Sequence, residues 1–111
     1  MQNTINYEDF LKVDLRVGTI IDVQEFPEAR IPAYQLIIDF GDLGTKKSSA
    51  QITDAYKKSD LINKQIVAVV NFPKKQIAKF MSECLVLGAV NSDLVVLLNP
   101  EEAVKNGSVI S

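Results

Sequence analysis

A chain of 111 residues, 47% apolar and 23% charged with a net charge of −2, is long enough to bury a core of its own and too apolar and too weakly charged to stay disordered. Its single cysteine, Cys84, excludes an intrachain disulfide, and its lack of histidine removes the commonest general base, the Ser-His and Cys-His nucleophile pairs and the usual zinc ligands. A cytoplasmic, non-catalytic protein with no cofactor and no metal is expected: Met1–Phe10 lacks the basic and apolar regions of a signal peptide, and the best apolar run, Leu94–Leu98, is far too short to span a membrane.

Asn6, followed three residues later by Asp9, is a helix-start pattern, and Tyr7, Phe10 and Leu11 share one face of a short helix predicted over about Tyr7–Val13. Leu15 to Val23 reads as a strand with Leu15, Val17, Thr19, Ile21 and Val23 on one face. Gly18 in its interior predicts a bulge or sharp bend. Glu25 to Ala33 carries Pro27 and Pro32 and reads as a loop. Tyr34 to Phe40 is a second strand, Gly41 to Gly44 a turn, and Thr45 to Gln51 a third strand returning as a hairpin. Ile52 to Asn63 lacks strand alternation and fits short helical turns. Gln65 to Asn71 is the clearest strand of the chain, Phe72 to Phe80 a basic loop, and Ser82 to Val90 a fifth strand. Leu94 to Leu98 returns after a turn as a sixth, and Ser108 to Ile110 forms a last short strand.

Three strands, a helical segment and two more strands is the element order of the OB-fold, an all-β, five-stranded Greek-key barrel. The whole of 1–111 is therefore expected to be a single domain with a core over about 13–90. An N-terminal helix and a C-terminal hairpin would extend it.

Charge is unevenly spread. Residues 1–45 hold three basic side chains against eight acids, 46–79 eight lysines against two acids, and 80–111 one lysine against four acids. A basic middle between acidic ends suits a face for a polyanion; solvated lysines on a mixed surface give the same count. In an OB-fold the ligand face is built from the second and third strands and the loops joining strands one–two and four–five. Arg30, Lys46, Lys47, Lys74, Lys75 and Lys79 fall in those segments, interleaved with Phe26, Phe72 and Phe80. Ammonium groups would neutralise phosphates while ring faces take stacked bases. The alternative for the rings is packing at the barrel ends. Phe26, Ile31, Phe72, Ile77 and Phe80 equally suit an apolar groove for extended polypeptide. Among other candidates, Cys84 reads as a buried small hydrophobe, Gly41 and Gly44 as a hairpin turn, and Asp14 with Arg16 as an ion pair.

Asp14-Leu15-Arg16-Val17-Gly18-Thr19-Ile20 resembles the D-x-R-V-G-x-I opening of the tRNA-binding domain family, which includes the C-terminal domain of bacterial methionyl-tRNA synthetases. Pro27 and Ala29, Ile38-Asp39-Phe40-Gly41, Val67 to Asn71 and Ser82 to Leu87 stand where that family has its later motifs. The wording of Glu25–Arg30, Ser48–Thr53, Leu61–Gln65 and Val70–Pro73 is similar to the CsaA-type branch of secretion-associated chaperones. The resemblance implies a homodimer joined through 1–12 and 91–111, with Tyr7, Phe10, Leu11, Val95 and Leu97 as the apolar residues needing cover. It implies unfolded preproteins and a translocation ATPase as partners, with tRNA as the alternative ligand and a synthetase as the enzyme served. Asn71 and Ser82 match family positions and join Lys74 and Lys75 as candidate RNA contacts. The family's histidine before Pro27 is Phe26 here, its S-G-L is Ser49-Ala50-Gln51, and its S-x-G-M is Ser82-Glu83-Cys84-Leu85. These departures on the expected RNA face favour polypeptide.

Overall fold

Period-two alternation gives the barrel wall. In the computed structural model, which describes residues 3–111, α1 (Tyr7–Leu11) precedes β1 (Leu15–Glu25), β2 (Tyr34–Asp39) and β3 (Thr45–Ala50). The first two residues of the predicted 1–12 extension thus lie outside the described residues. A short helix, α2 (Lys58–Leu61), leads to β4 (Gln65–Val69), the β5–β6 hairpin (Lys75–Ile77, Phe80–Ser82), β7 (Leu85–Val86) and the β8–β9 hairpin (Gly88–Asn91, Leu94–Leu97). The main sheet is antiparallel in the order β3-β2-β1-β4-β7. It curls until β3 meets the segment before β7. There the Glu83 N–H donates to the Lys47 carbonyl at 2.7 Å and the Lys47 N–H donates to Glu83 Oε1 at 2.9 Å. The result is the nearly closed five-stranded barrel of an OB-fold, with α2 between its third and fourth strands. Among the described residues no helix is long and apolar enough to cross a membrane.

Side chains that alternate along the strands fill the interior. Tyr34, Leu36, Ile38 and Phe40 come from β2 and its end, Ile66 and Ala68 from β4, and Leu61 of α2 enters fully buried. Ser48, the one buried polar residue among those described, donates its hydroxyl to the Cys84 carbonyl at 3.0 Å, so its burial leaves no orphan group.

β1 departs from its predicted face. Its first half pairs with β4 and its second with β2, and the register with β2 slips between Ile20 and Asp22. Ile21 is the bulged residue and is exposed, whereas Ile20 points into the core and Val23 is restored to it. Gly18 is not the bulge. A Cβ there would stand 2.7 Å from both Ile38 Cγ2 and Phe40 Cδ1, so glycine is needed for the phenyl ring to lie against the wall. Val17 faces outward and is covered by the C-terminal segment. Its N–H donates to the Ser108 carbonyl at 3.0 Å and its carbonyl accepts from the Gly107 N–H at 2.7 Å. That segment makes one bridge, Arg16 with Val109, instead of the predicted strand.

Two further expectations change. Phe72 to Phe80 is not an irregular loop, because its second half folds back as β5–β6 through a tight turn with Ala78 at φ 52°. Ser82 to Val90 is not one strand but three pieces, since β6 serves β5, β7 serves β4 and β8 serves β9. Of the residues expected to need a partner's cover, Leu97 is buried and Val95 packs against the core, with the Leu97 N–H donating to the Tyr56 hydroxyl at 3.0 Å. Tyr7 and Leu11 of α1 are exposed. Asp14 and Arg16 form the expected ion pair, Nε to Oδ1 at 2.6 Å.

Candidate binding groove

The proline-flanked segment between β1 and β2 and the β5–β6 hairpin come to the same side of the barrel. Glu28, Ala29, Arg30 and Ile31 stand on one side of a groove of about 450 Å³, and Lys75, Gln76, Ile77 and Ala78 on the other, with Ser49 and Gln51 of β3 also lining it. The groove continues into a seam of about 330 Å³ where β3 diverges from β6, β7 and β9; Cys84, Leu85 and Leu97 are among its lining residues. A third depression, of about 230 Å³, lies at Phe72, Pro73 and Leu85. Lys75 lines all three, and Ile77 the first two.

A ring pair holds the two segments together. Phe26 packs against Phe80 with centroids 5.4 Å apart and planes at 58°. Lys47 Nζ lies 5.4 Å from the Phe80 centroid on the outer face of β3, so the ring is covered from a second direction. Phe26 is 4% exposed and Phe80 half-buried, and Phe72, at 52%, is the ring presented to solvent. The structure therefore places Phe26 beneath the surface as a clamp, while Ile31, Ile77 and Phe72 face the depressions.

The candidate cations fall into different surroundings. Lys46 pairs with Ile38 and Lys47 with Ile37, so alternation sends them to opposite faces of β3. Lys74 Nζ sits 3.5 Å from Glu83 Oε2. The Lys47 N–H is the main influence keeping the Glu83 carboxyl below its ordinary value; partial burial opposes it, and Lys74 adds to the lowering. Arg30, Lys75 and Lys79 are exposed and make no ion pair among the described residues.

Asn71 and Ser82 are tied into the fold. Asn71 Oδ1 accepts from the Asp14 N–H at 2.9 Å and Nδ2 donates to the Lys12 carbonyl at 2.7 Å, fastening the end of β4 to the chain after α1. Ser82 Oγ accepts from the Ser49 N–H at 3.2 Å across the barrel seam, though Ser82 also borders the seam groove. Cys84 is buried and desolvation pushes its thiol up to about 12, which suits packing and not nucleophilic chemistry. Ser49, Gln51 and Gln76 were missed as groove residues. The alternation of Ser48 inward and Ser49 outward on β3 was a usable signal for the first two, and Gln76 required the hairpin.

A family model described as "Putative tRNA binding domain" matches residues 15–109. The chaperone CsaA from Bacillus anthracis is 57% identical and superposes with a TM-score of 0.93, the match covering 98% of this chain and 100% of that one. The chain belongs to the tRNA-binding domain family, in its CsaA-type branch. A CsaA chaperone protein from Picrophilus torridus matches equally well, at 58% identity and a TM-score of 0.93 over 97% of this chain and 100% of its own. Methionine–tRNA ligases of Thermococcus onnurineus and Campylobacter jejuni are 36% and 33% identical over 96% of this chain. The chain spans only 14% and 17% of those ligases' length, so the match concerns the tRNA-binding domain and not the body of the enzyme.

Proposed function

We propose that this protein is a non-catalytic binding module of the CsaA type whose groove takes extended, unfolded segments of preproteins. The observation that carries the reading is the convergence of the 26–33 segment and the β5–β6 hairpin on connected depressions with Ile31, Ile77, Phe72 and Leu85 at their edges. Adjacent apolar depressions accept successive side chains of an unfolded chain, which a globular surface would not insert. The high identity to two CsaA chaperones over their whole length supports the same reading.

One observation favours a second reading. Arg30, Lys75 and Lys79 are cations at or beside the groove without ion-pair partners among the described residues, and the family model is a tRNA-binding one. On this reading the module binds tRNA, in trans to a synthetase, through phosphate contacts.

The proposal includes a single domain with a core over about 13–90, whose ends, 1–12 and 91–111, meet those of a second copy. Exposed Tyr7 and Leu11 of α1, with Val90, Leu94 and Val96 of the β8–β9 hairpin, support it. Sedimentation as a monomer at micromolar concentration would count against the dimer. A translocation ATPase as partner and residence in the cytoplasm follow from the CsaA-type likeness and belong to the same proposal.

Titrating labelled tRNA and a labelled unfolded peptide at two salt concentrations separates the readings. Peptide binding that survives high salt supports the chaperone reading. Binding of tRNA alone, falling roughly a hundredfold between about 50 and about 200 mM salt, supports the other.

A further inference from the structure

β3 is paired with β2 along its whole length, but its other edge is only partly used. Lys47 exchanges hydrogen bonds with Glu83, and at Ser49 the N–H is taken by a side chain, Ser82 Oγ, at 3.2 Å. At Gln51, the next residue facing that edge, the backbone N–H and carbonyl make no hydrogen bond among the described residues. Ser49 and Gln51 both line the 450 Å³ groove and the 330 Å³ seam, so the open end of the strand lies between two depressions of side-chain size or larger. An open strand end flanked by pockets is a template for strand addition. Main-chain hydrogen bonds give affinity, and pockets for alternate side chains give selectivity.

The charge beside this edge is distributed unequally. Lys75 borders the groove, the seam and the depression at Phe72, and Arg30 stands across the groove from it. The nearest acid on the hairpin side, Glu83, is already engaged by the Lys47 N–H and by Lys74. Glu28 is the acid on the groove's far wall.

We infer that the groove takes an extended polypeptide segment added as a strand beyond Ser49 of β3, with an acidic side chain against Lys75 and apolar side chains in the flanking depressions. This rests on the polypeptide reading above and narrows it, from unfolded chain in general to segments in which an acid accompanies β-forming apolar residues. Segments rich in lysine or arginine are disfavoured, because Lys75 and Arg30 repel them.

The test uses the full chain and three labelled peptides built on one alternating valine–threonine core: one flanked by aspartate, one flanked by lysine, and an aspartate-flanked copy with alternate backbone nitrogens methylated. At low salt the aspartate peptide should bind about five- to tenfold tighter than the lysine peptide, and the gap should close at high salt. Backbone methylation should weaken binding by at least about fivefold, since it removes ladder donors and leaves the side chains in place. Lys75→Glu, an exposed position, should invert the flank preference. Equal affinity of the two flanks, or indifference to methylation, overturns the inference while the groove reading stands. Failure of all three peptides to bind at either salt sinks the groove reading and the inference with it. Self-association abolished by Lys75→Glu would assign the edge to a second copy and overturn the inference as well.

Discussion

Glu83 and Lys47 clasp each other by two hydrogen bonds, the Glu83 N–H to the Lys47 carbonyl at 2.7 Å and the Lys47 N–H to the Glu83 carboxylate at 2.9 Å. They are 36 residues apart in the chain, and they turn a curled sheet into a nearly closed barrel. Removing the carboxylate in Glu83→Ala should cost about 1–2 kcal/mol, the low end for a hydrogen bond to a charged group because this edge is only half-buried. The Lys47 N–H holds this carboxyl below its ordinary 4.5, so the unfolded chain takes up its proton at a higher pH than the folded one. The stability it supplies is complete above about 4.5 and is lost as pH falls through the lower folded value. Urea unfolding of the wild type and of Glu83→Gln should show a gap at about pH 7 that shrinks by about pH 3.

Asn71 should prove a structural residue. Both ends of its side-chain amide are engaged, with Asp14 and Lys12, so Asn71→Ala should lower stability by about 1 kcal/mol through the α1–β1 connection. Its effect on tRNA affinity, measured well below the unfolding temperature, should be less than about twofold. A large loss of affinity with unchanged stability would return Asn71 to the binding surface.

The cations should separate by their surroundings. On the tRNA reading, the combined Arg30→Ala, Lys75→Ala and Lys79→Ala variant should flatten the salt dependence of binding by about 2–2.7 units of logarithmic slope, each lost phosphate contact contributing roughly 0.7–0.9. Lys57→Ala with Lys58→Ala, at α2 and away from the groove lining, should leave the slope unchanged. An unchanged slope in the triple variant would remove these side chains from any RNA face.

Cys84 should be inert in the folded protein. Burial raises its thiol to about 12, so little thiolate exists near neutrality, and the residue is buried. Alkylation at about pH 8 should run at least about a hundredfold slower than in denaturant, where the thiol regains an ordinary value. Fast single-site labelling of native protein would mean that the β3–β7 seam opens readily.

What was legible in the sequence was local. Tyr34 to Phe40 carries its own alternation, Gln65 to Asn71 an apolar, largely β-branched run, the turn at Gly41 to Gly44 its glycines and the α1 start its Asn6–Asp9 pair, and each formed within two residues of where expected. The element order was enough to assign the barrel, because a short helix between the third and fourth of five strands restricts how they can close. The basic segment was equally plain, as was the side of the barrel to which it would come.

Pairing between distant residues decided the rest. Whether Ile20 or Ile21 faces the core depends on a register slip against β2, which alternation along β1 cannot reveal, since both residues are isoleucine. Which lysines remain available depends on Glu83, an acid outside the basic segment, and on the alternation that parts Lys46 from Lys47. Phe26 became a clamp because Phe80 met it across the hairpin. Composition and short-range pattern set the kind of fold and the sign of its charge, for those are properties of neighbours along the chain. The identity of the groove residues came from hydrogen bonds and ring contacts between segments dozens of residues apart, and such contacts exist only once the barrel has closed.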